Sequence, residues 1–343
     1  MHLLRTVVLS IVACLFAAFG ISSTNGQAAQ SIPTPPGNKV PKPAGPAGNL
    51  KVLNWAGFHA AVTYTFDDSI PSQIANYPKL QATGVRMTFF LVGASDGNSP
   101  VWAQAAKDGH ELGNHTEHHC HADATGCAWG TYAGSLEAEY DLCTSHIEQT
   151  YWVSNVWTTA SPYGDKGFDK IAKTRFFLNR GVQGGQVAPN DNSDPYDLPI
   201  HGAKAGEAAD SYNSFIDSAH AAGNWQIFLF HSLGGDGGYA PVNIADVIAS
   251  IDHAKSAGDI WIDSMVNVGA YWAGQRAVTN ATITKSGENT LITWKLPDHF
   301  PPGKYVRVTV TGGTLKQSGR VLTWNPAGYY EVALDPGSLT IAQ

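Results

Sequence analysis

Between residues 50 and 276 short apolar runs alternate with stretches whose apolar positions recur at helical spacing. The runs lie at 60–66, 85–92, 156–160, 175–182, 225–231 and 259–263. Segments 72–82, 135–150, 207–222 and 243–257 between them carry the helical period. This repetition predicts an α/β domain over 51–276, built as strand–helix units around a mainly parallel sheet or barrel. Polar residues punctuate the carboxyl ends of several runs: Asp67 and Asp68, Ser161-Pro162-Tyr163-Gly164, and His231-Ser232. Barrel-type active sites are built at that end of the strands.

The pattern changes on either side. After Arg276 it becomes Thr-rich alternation with turn signals, predicting strands near 281–284, 291–296, 305–311, 321–324 and 329–334 and a small all-β domain over 277–343. Trp294, Trp324, Tyr329 and Tyr330 there admit two uses, stacking on a glycan or filling a small core, and the weight of large rings in small cores favours the second. Residues 30–50 read as a proline-rich linker, because six prolines between 31 and 46 favour an extended spacer that buries little.

Residues 1–29 combine Arg5, an apolar stretch and small residues at Ala28 and Ala29, the features of a secretory signal. The expected location is secreted or periplasmic. An apolar run before Cys14 leaves lipoprotein anchoring as a secondary alternative, and no segment reads as a transmembrane span. With 343 residues, 43% of them hydrophobic and 14% charged, the chain can bury a large core. Its formal charge of −7 and lack of a basic block argue against nucleic acid as a partner, and no protein partner can be inferred.

Removal of the leader leaves Cys120, Cys127 and Cys143, an odd set where disulfides are permitted. Cys120–Cys127 would close a short loop, and Cys143 can replace either partner. Thiolate ligation of a metal is the weaker alternative.

Candidate chemistry concentrates in two places. His115 and His119 stand four apart, a spacing that on a helical turn lets both face one ion. The order His-Thr-Glu-His-His differs from the His-Glu-x-x-His of metalloproteases, so Glu117 is poorly placed as a base, and His110, His118 and His121 are assigned to supporting or surface positions. Asp67 and Asp68 can reach one pocket only if their strand ends there, which Pro71 supports. Their alternative use is to cap the following helix. Imidazole with carboxylate suits a zinc-like divalent ion. The glycine-rich stretch 234–238 lacks the ending of a phosphate-binding loop and reads as a rim.

Taken in order, these pieces resemble the polysaccharide deacetylases of carbohydrate esterase family 4, whose catalytic domain is a distorted (β/α) barrel. Thr65-Phe66-Asp67-Asp68 matches the first family signature and His115-Thr116-Glu117-His118-His119 the second. The resemblance implies Asp67 as general base and Asp68, His115 and His119 as ligands of a divalent metal, zinc above others. The third signature survives as Ser161-Pro162-Tyr163-Gly164, where the Tyr163 N–H is expected at an oxyanion, but its arginine is absent. Arg180 or Arg175 is the expected substitute. Asp191 and Asp194 represent the fourth signature loosely, and Leu229-Phe230-His231 matches the fifth, implying His231 as general acid rather than a packed rim histidine. The implied activity is removal of N-acetyl or O-acetyl groups from a polysaccharide or oligosaccharide. A non-catalytic glycan-binding barrel and a hydrolase of small non-carbohydrate amides or esters are the rivals.

Overall fold

The computed structural model describes residues 32–37 and 39–343; the leader at 1–29, with Cys14, lies outside the described residues. Nine strands precede the C-terminal region: β1 (Lys51–Val52), β2 (Ala60–Asp67), β3 (Thr88–Leu91), β4 (Glu111–Asn114), β5 (Thr158–Ala160), β6 (Leu178–Gly184), β7 (Leu198–Gly202), β8 (Trp225–Phe230) and β9 (Ile260–Ile262). The helices are α1 (Pro71–Ala82), α2 (Pro100–Lys107), α3 (Leu136–Tyr151), α4 (Asp169–Ala172), α5 (Ala209–Ala222), α6 (Ile244–Ser256) and α7 (Met265–Thr279).

Strands β3-β4-β5-β6-β7-β8-β2 form a parallel sheet that closes on itself where β2 pairs with β3. The closure is uneven. One edge of β2 pairs with β9 through Ala60–Val62 and with β3 through Thr65–Asp67, so β9 fills the gap that a seven-strand ring leaves at its starting end. This is a distorted (β/α) barrel with antiparallel sheets appended at the C-terminus.

A strand's period of two divides its side chains between inside and outside. Ala61, Phe90, Ala160, Leu178, Leu198, Trp225, Ile227 and Leu229 face inward and join one apolar cluster. Val62, Tyr64, Phe66, Phe89, Leu112 and Phe228 face outward against Leu80, Trp102, Tyr140, Ile147, Ile216 and Val247 of the surrounding helices. Gly113 lacks a side chain because a Cβ there would stand 2.5 Å from the Phe90 ring.

The C-terminal strands are β10 (Thr282–Ser286), β11 (Asn289–Thr293), β12 (Tyr305–Thr309), β13 (Thr314–Gln317), β14 (Arg320–Val321), β15 (Tyr330–Ala333) and β16 (Ser338–Ala342). They form antiparallel sheets of order β1-β12-β15 and β10-β11-β16-β13-β14. Trp294, Tyr329 and Tyr330 are buried, and Trp324 packs edge-on against Tyr330 while donating to the Val40 carbonyl, so these aromatics fill a core. That core is continuous, through α7, with the barrel interior.

The proline-rich stretch is not a free spacer where it is described. Val40 and Gly45 N–H groups donate to the Pro326 and Thr311 carbonyls, and the buried Arg307 guanidinium donates to the carbonyls of Ile32, Pro33 and Ala56. The physical reason is that an extended, proline-rich segment makes no internal backbone hydrogen bonds and so offers its carbonyls, and a buried guanidinium with five donors needs acceptors.

Candidate metal and catalytic site

The inward period of the alternate strands sets the site. Counting upward along each, Asp67 ends β2, His115 follows β4, Arg180 lies in β6 and His231 follows β8, each continuing the row that faces the barrel interior. Four polar side chains thus converge at the mouth where the strands end.

Asp68 joins them by a backbone reversal. It and Ser69 adopt φ values of 78° and 51°, so the chain leaves β2 abruptly and consecutive carboxylates reach one cavity. Neither caps α1. The acid at that helix start is Asp236, whose Oδ2 accepts the Ser72 N–H at 2.9 Å. Left-handed geometry at non-glycine residues is costly, and its concentration here, with Thr116, His119 and Tyr163 also positive, is typical of a functional site.

The two histidines are not on a helix, contrary to the sequence expectation. Residues 115–119 form a tight loop in which Asn114 Oδ1 accepts the Thr116 N–H at 2.8 Å and Thr116 Oγ1 accepts the His119 N–H at 3.0 Å. Helical spacing succeeded for another reason: this folded loop also returns its fifth residue beside its first, and the rings lie 4.7 Å apart.

His115 Nδ1 donates to the Ala160 carbonyl at 2.7 Å, which turns Nε2 into the cavity as a lone-pair donor. Asp68 Oδ1 stands 3.5 Å from His115 Nε2 and 3.6 Å from His119 Nε2, and no hydrogen bond satisfies that buried oxygen. All three donor atoms lie within 4.8 Å of one another. Ligands about 2.1 Å from a tetrahedral ion are roughly 3.4 Å apart, so the two separations from Asp68 fit a shared divalent cation better than a proton. Burial pushes the Asp68 carboxyl up, but the neighbouring imidazoles, His115 first and then His231 and His119, outweigh it and hold it at about 2. Burial, reinforced by His115, drives His119 down to about 3, keeping it a neutral ligand.

Asp67 is 2% exposed and is held by the Arg180 guanidinium, itself 1% exposed and lying 5.5 Å from the Phe90 ring. Register explains the substitution. Arg180 pairs across from Ala160, so β6 delivers a cation to the space where the neighbouring signature strand has only a methyl group. Arg175 instead forms a surface pair with Asp141 at 2.6 Å. Asp67 Oδ2 is 3.6 Å from His115 Nε2, and its Oδ1 has no partner.

His231 shares this field. Burial lowers its pKa, while Asp67 and then Asp68 oppose that shift. Gln73, buried in the first turn of α1, donates to the backbone carbonyls of both Asp67 and His231. Sequence inspection missed it, and its sole signal was a polar residue on a helical face otherwise directed inward.

Residues 59–176 match the sequence profile of the family described as Polysaccharide deacetylase. Over those residues the chain is similar to the polysaccharide deacetylases. Among solved structures, a deacetylase captured with substrate is similar at 19% identity and TM-score 0.43, over 62% of this chain and 91% of its own. A polysaccharide deacetylase from Bacillus cereus gives 18%, 0.40, 60% and 91% in the same order. A family 4 carbohydrate esterase from Streptomyces lividans, solved with acetate, gives 17%, 0.41, 62% and 95%. No match is found among curated proteins.

In this barrel the remaining candidates separate cleanly. Tyr163 is 46% exposed at the mouth, with its ring 4.5 Å from that of His119 and 3.7 Å from that of His121. Asp191 and Asp194 do not reach the site. Both lie on the loop leading into β7, at the end where strands begin: Asp191 accepts from Ala188 N–H and Ser193, and Asp194 accepts the Tyr196 N–H. Aspartate's affinity for nearby backbone donors makes loop folding its ordinary use, and their resemblance to a signature was compositional.

Cys120 and Cys127 are bonded, and Cys143 is a buried thiol donating to the Leu91 carbonyl at 3.2 Å, so among the described residues no cysteine joins the ligand set. His118 and His121 pair with Glu139 and Asp165. Among the described residues no helix is long and apolar enough to cross a membrane.

Proposed function

We propose that this protein is an exported, metal-dependent deacetylase that hydrolyses acetyl groups on a polysaccharide or oligosaccharide. The observation that carries this is the pairing of an Asp68–His115–His119 cluster with an adjacent carboxylate, Asp67, that stands outside the cluster and keeps a free oxygen. A family match at 59–176 supports the substrate class, and the leader and disulfide support export.

Asp68, His115 and His119 would hold the cation, which we assign as zinc from its mixed nitrogen and oxygen donors. When bound, it supplies Lewis acidity toward the acetyl carbonyl and lowers the cost of ionising water. Asp67 takes the proton of the attacking water at its free Oδ1, while Arg180 fixes the carboxylate through Oδ2. The Tyr163 N–H steadies the developing oxyanion. His231 passes a proton to the departing amine or alcohol, and its unpartnered Nδ1 is consistent with a ring held ready for exchange.

The test is acetate release from a panel of N-acetylated and O-acetylated glycan oligomers, with chelated and zinc-reconstituted protein. Metal-dependent release on any glycan substrate is expected. Release from no glycan, with turnover of a simple aryl amide or ester instead, would move the protein to a small-molecule hydrolase.

A further inference from the structure

Opposite Tyr163 across the mouth, the segment 232–242 between β8 and α6 carries a second aromatic side chain that the proposed chemistry does not use. Strands β5 and β8 stand three places apart on the seven-strand ring, the largest separation that ring allows. Tyr163 follows the first and Tyr239 the second.

The backbone of this segment is firmly held. Asp236 accepts from Ser72 N–H at 2.9 Å, Ser232 Oγ at 2.5 Å and Gly238 N–H at 3.1 Å. Ser232 N–H donates to the Tyr239 carbonyl and Ser232 in turn accepts from Val242 N–H, while Leu233 N–H donates to Ser72 Oγ. Positive φ at Gly234, Gly235 and Gly237 makes the tight reversal affordable. Gly238 has no room for a side chain, since a Cβ would stand 2.7 Å from Ile70 Cδ1.

All this anchoring presents one ring to water. Tyr239 is 73% exposed, yet its centroid is 4.9 Å from that of His231 at an interplanar angle of 84°. Tyr163 differs: one of its faces is covered by His121, and its hydroxyl donates to the Gly126 carbonyl at 2.9 Å. A rigidly mounted aromatic left in solvent beside a reacting centre gives a binding face at low ordering cost.

We infer that Tyr239 forms the wall of a sugar subsite adjoining the reacting residue, and that it selects oligomers over single acetylated sugars. Its ring would pack on the apolar face of the neighbouring pyranose, on the His231 side of the mouth. The inference rests on the functional assignment above and specifies the length of chain the site reads.

The experiment measures kcat and KM on N-acetylglucosamine oligomers and acetylated xylo-oligomers from dimer to hexamer, for the zinc-loaded full chain and for Tyr239→Ala and Tyr239→Phe. Wild-type KM should fall with chain length. Tyr239→Ala should flatten that dependence by raising KM on the longer oligomers up to roughly tenfold, with most of the loss in KM, and Tyr239→Phe should keep it. Unaltered length dependence in Tyr239→Ala, or an equal loss at every length, overturns the subsite while leaving the deacetylase assignment standing. No acetate release by wild type from any oligomer overturns both.

Discussion

The two ends of the barrel use the same residue types in opposite ways. At the starting end, Glu111 accepts from Thr88 and Thr158 hydroxyls and the Val266 N–H, at 2.7–2.8 Å, joining the first residues of three strands to the start of α7. Asp263 beside it takes Arg86 through both oxygens, together with Trp261, Ser264 and Asn267. Each of those carboxylate oxygens is satisfied. At the mouth, Asp67 Oδ1, Asp68 Oδ1, His119 Nδ1, His231 Nδ1 and Arg180 Nε are buried without a partner. Buried polar groups are ordinarily paired, so a cluster of unpaired ones marks atoms reserved for something the protein binds. The lower end holds the barrel together, and the upper end leaves buried polar atoms open.

The sharpest break between the ends should come from isosteric amides. Asp67→Asn is expected to lower kcat by about 10²–10⁴-fold while zinc content and unfolding midpoint stay near wild type. His115→Ala should instead lose zinc affinity, read by metal titration. Equal zinc loss in both variants would mean that Asp67 is a ligand and that base and ligands do not divide as proposed.

Arg180→Lys probes the relocated cation. The charge persists but the fork does not, so a roughly 10- to 100-fold loss in kcat is expected with zinc retained. Full activity would show that Asp67 needs no geometric restraint from β6.

Glu111→Gln is the counterpart below. Removing one acceptor site from three donors should destabilise by about 1–3 kcal/mol in urea unfolding, with kcat on acetylated oligomers nearly unaffected. Burial raises the Glu111 pKa, against the opposing pull of its hydrogen bonds and Lys304. A carboxyl whose folded pKa exceeds its unfolded value contributes most below the unfolded value, near 4.5, and loses that contribution as pH rises. The variant should therefore show less loss of stability toward alkaline pH than wild type.

How much of this was legible beforehand follows from what periodicity can carry. Apolar runs announced β2, β3, β5, β6, β8 and β9, because those strands, the exposed end of β6 excepted, are buried on both faces. Strand β4 reads Glu-Leu-Gly-Asn, and each of its polar or missing side chains has a tertiary reason: Glu111 ties the strands below, Gly113 yields to Phe90, and Asn114 folds the histidine loop. No local pattern contains that information. The ligand set was visible because motif order compresses three-dimensional geometry into spacing, although the turn bearing it is left-handed rather than helical. The choice between Arg175 and Arg180 was not visible, since it depends on the Ala160–Arg180 register. Asp236 was hidden for the same reason: its partner Ser72 lies 164 residues away in sequence.

The smallest predicted effect tests whether a histidine near the barrel's lower end is purely structural. His110 lies between Tyr77 and Phe89, with ring centroids 5.7 and 5.6 Å away. Its Nδ1 accepts the Met87 N–H at 3.0 Å, which forces the proton onto Nε2, facing Gln81 Oε1 at 2.7 Å. A second proton has nowhere to go without breaking the Met87 bond. Burial accordingly drives its pKa down to about 4; Asp108 and Asp263 oppose the shift, and Arg86 adds to it. Because the folded value lies below the unfolded 6.5, stability from His110 is complete above about pH 6.5 and is lost as pH falls toward 4, where it levels off. The size is on the order of 2–3 kcal/mol. His110→Asn keeps an acceptor for Met87 but cannot titrate, so urea unfolding of chelated protein between pH 7 and 4 should fall less steeply than wild type by about that amount. Identical slopes would place the acid sensitivity of this fold in the histidines at the mouth and remove the distinction between a satisfied lower end and a reactive upper one.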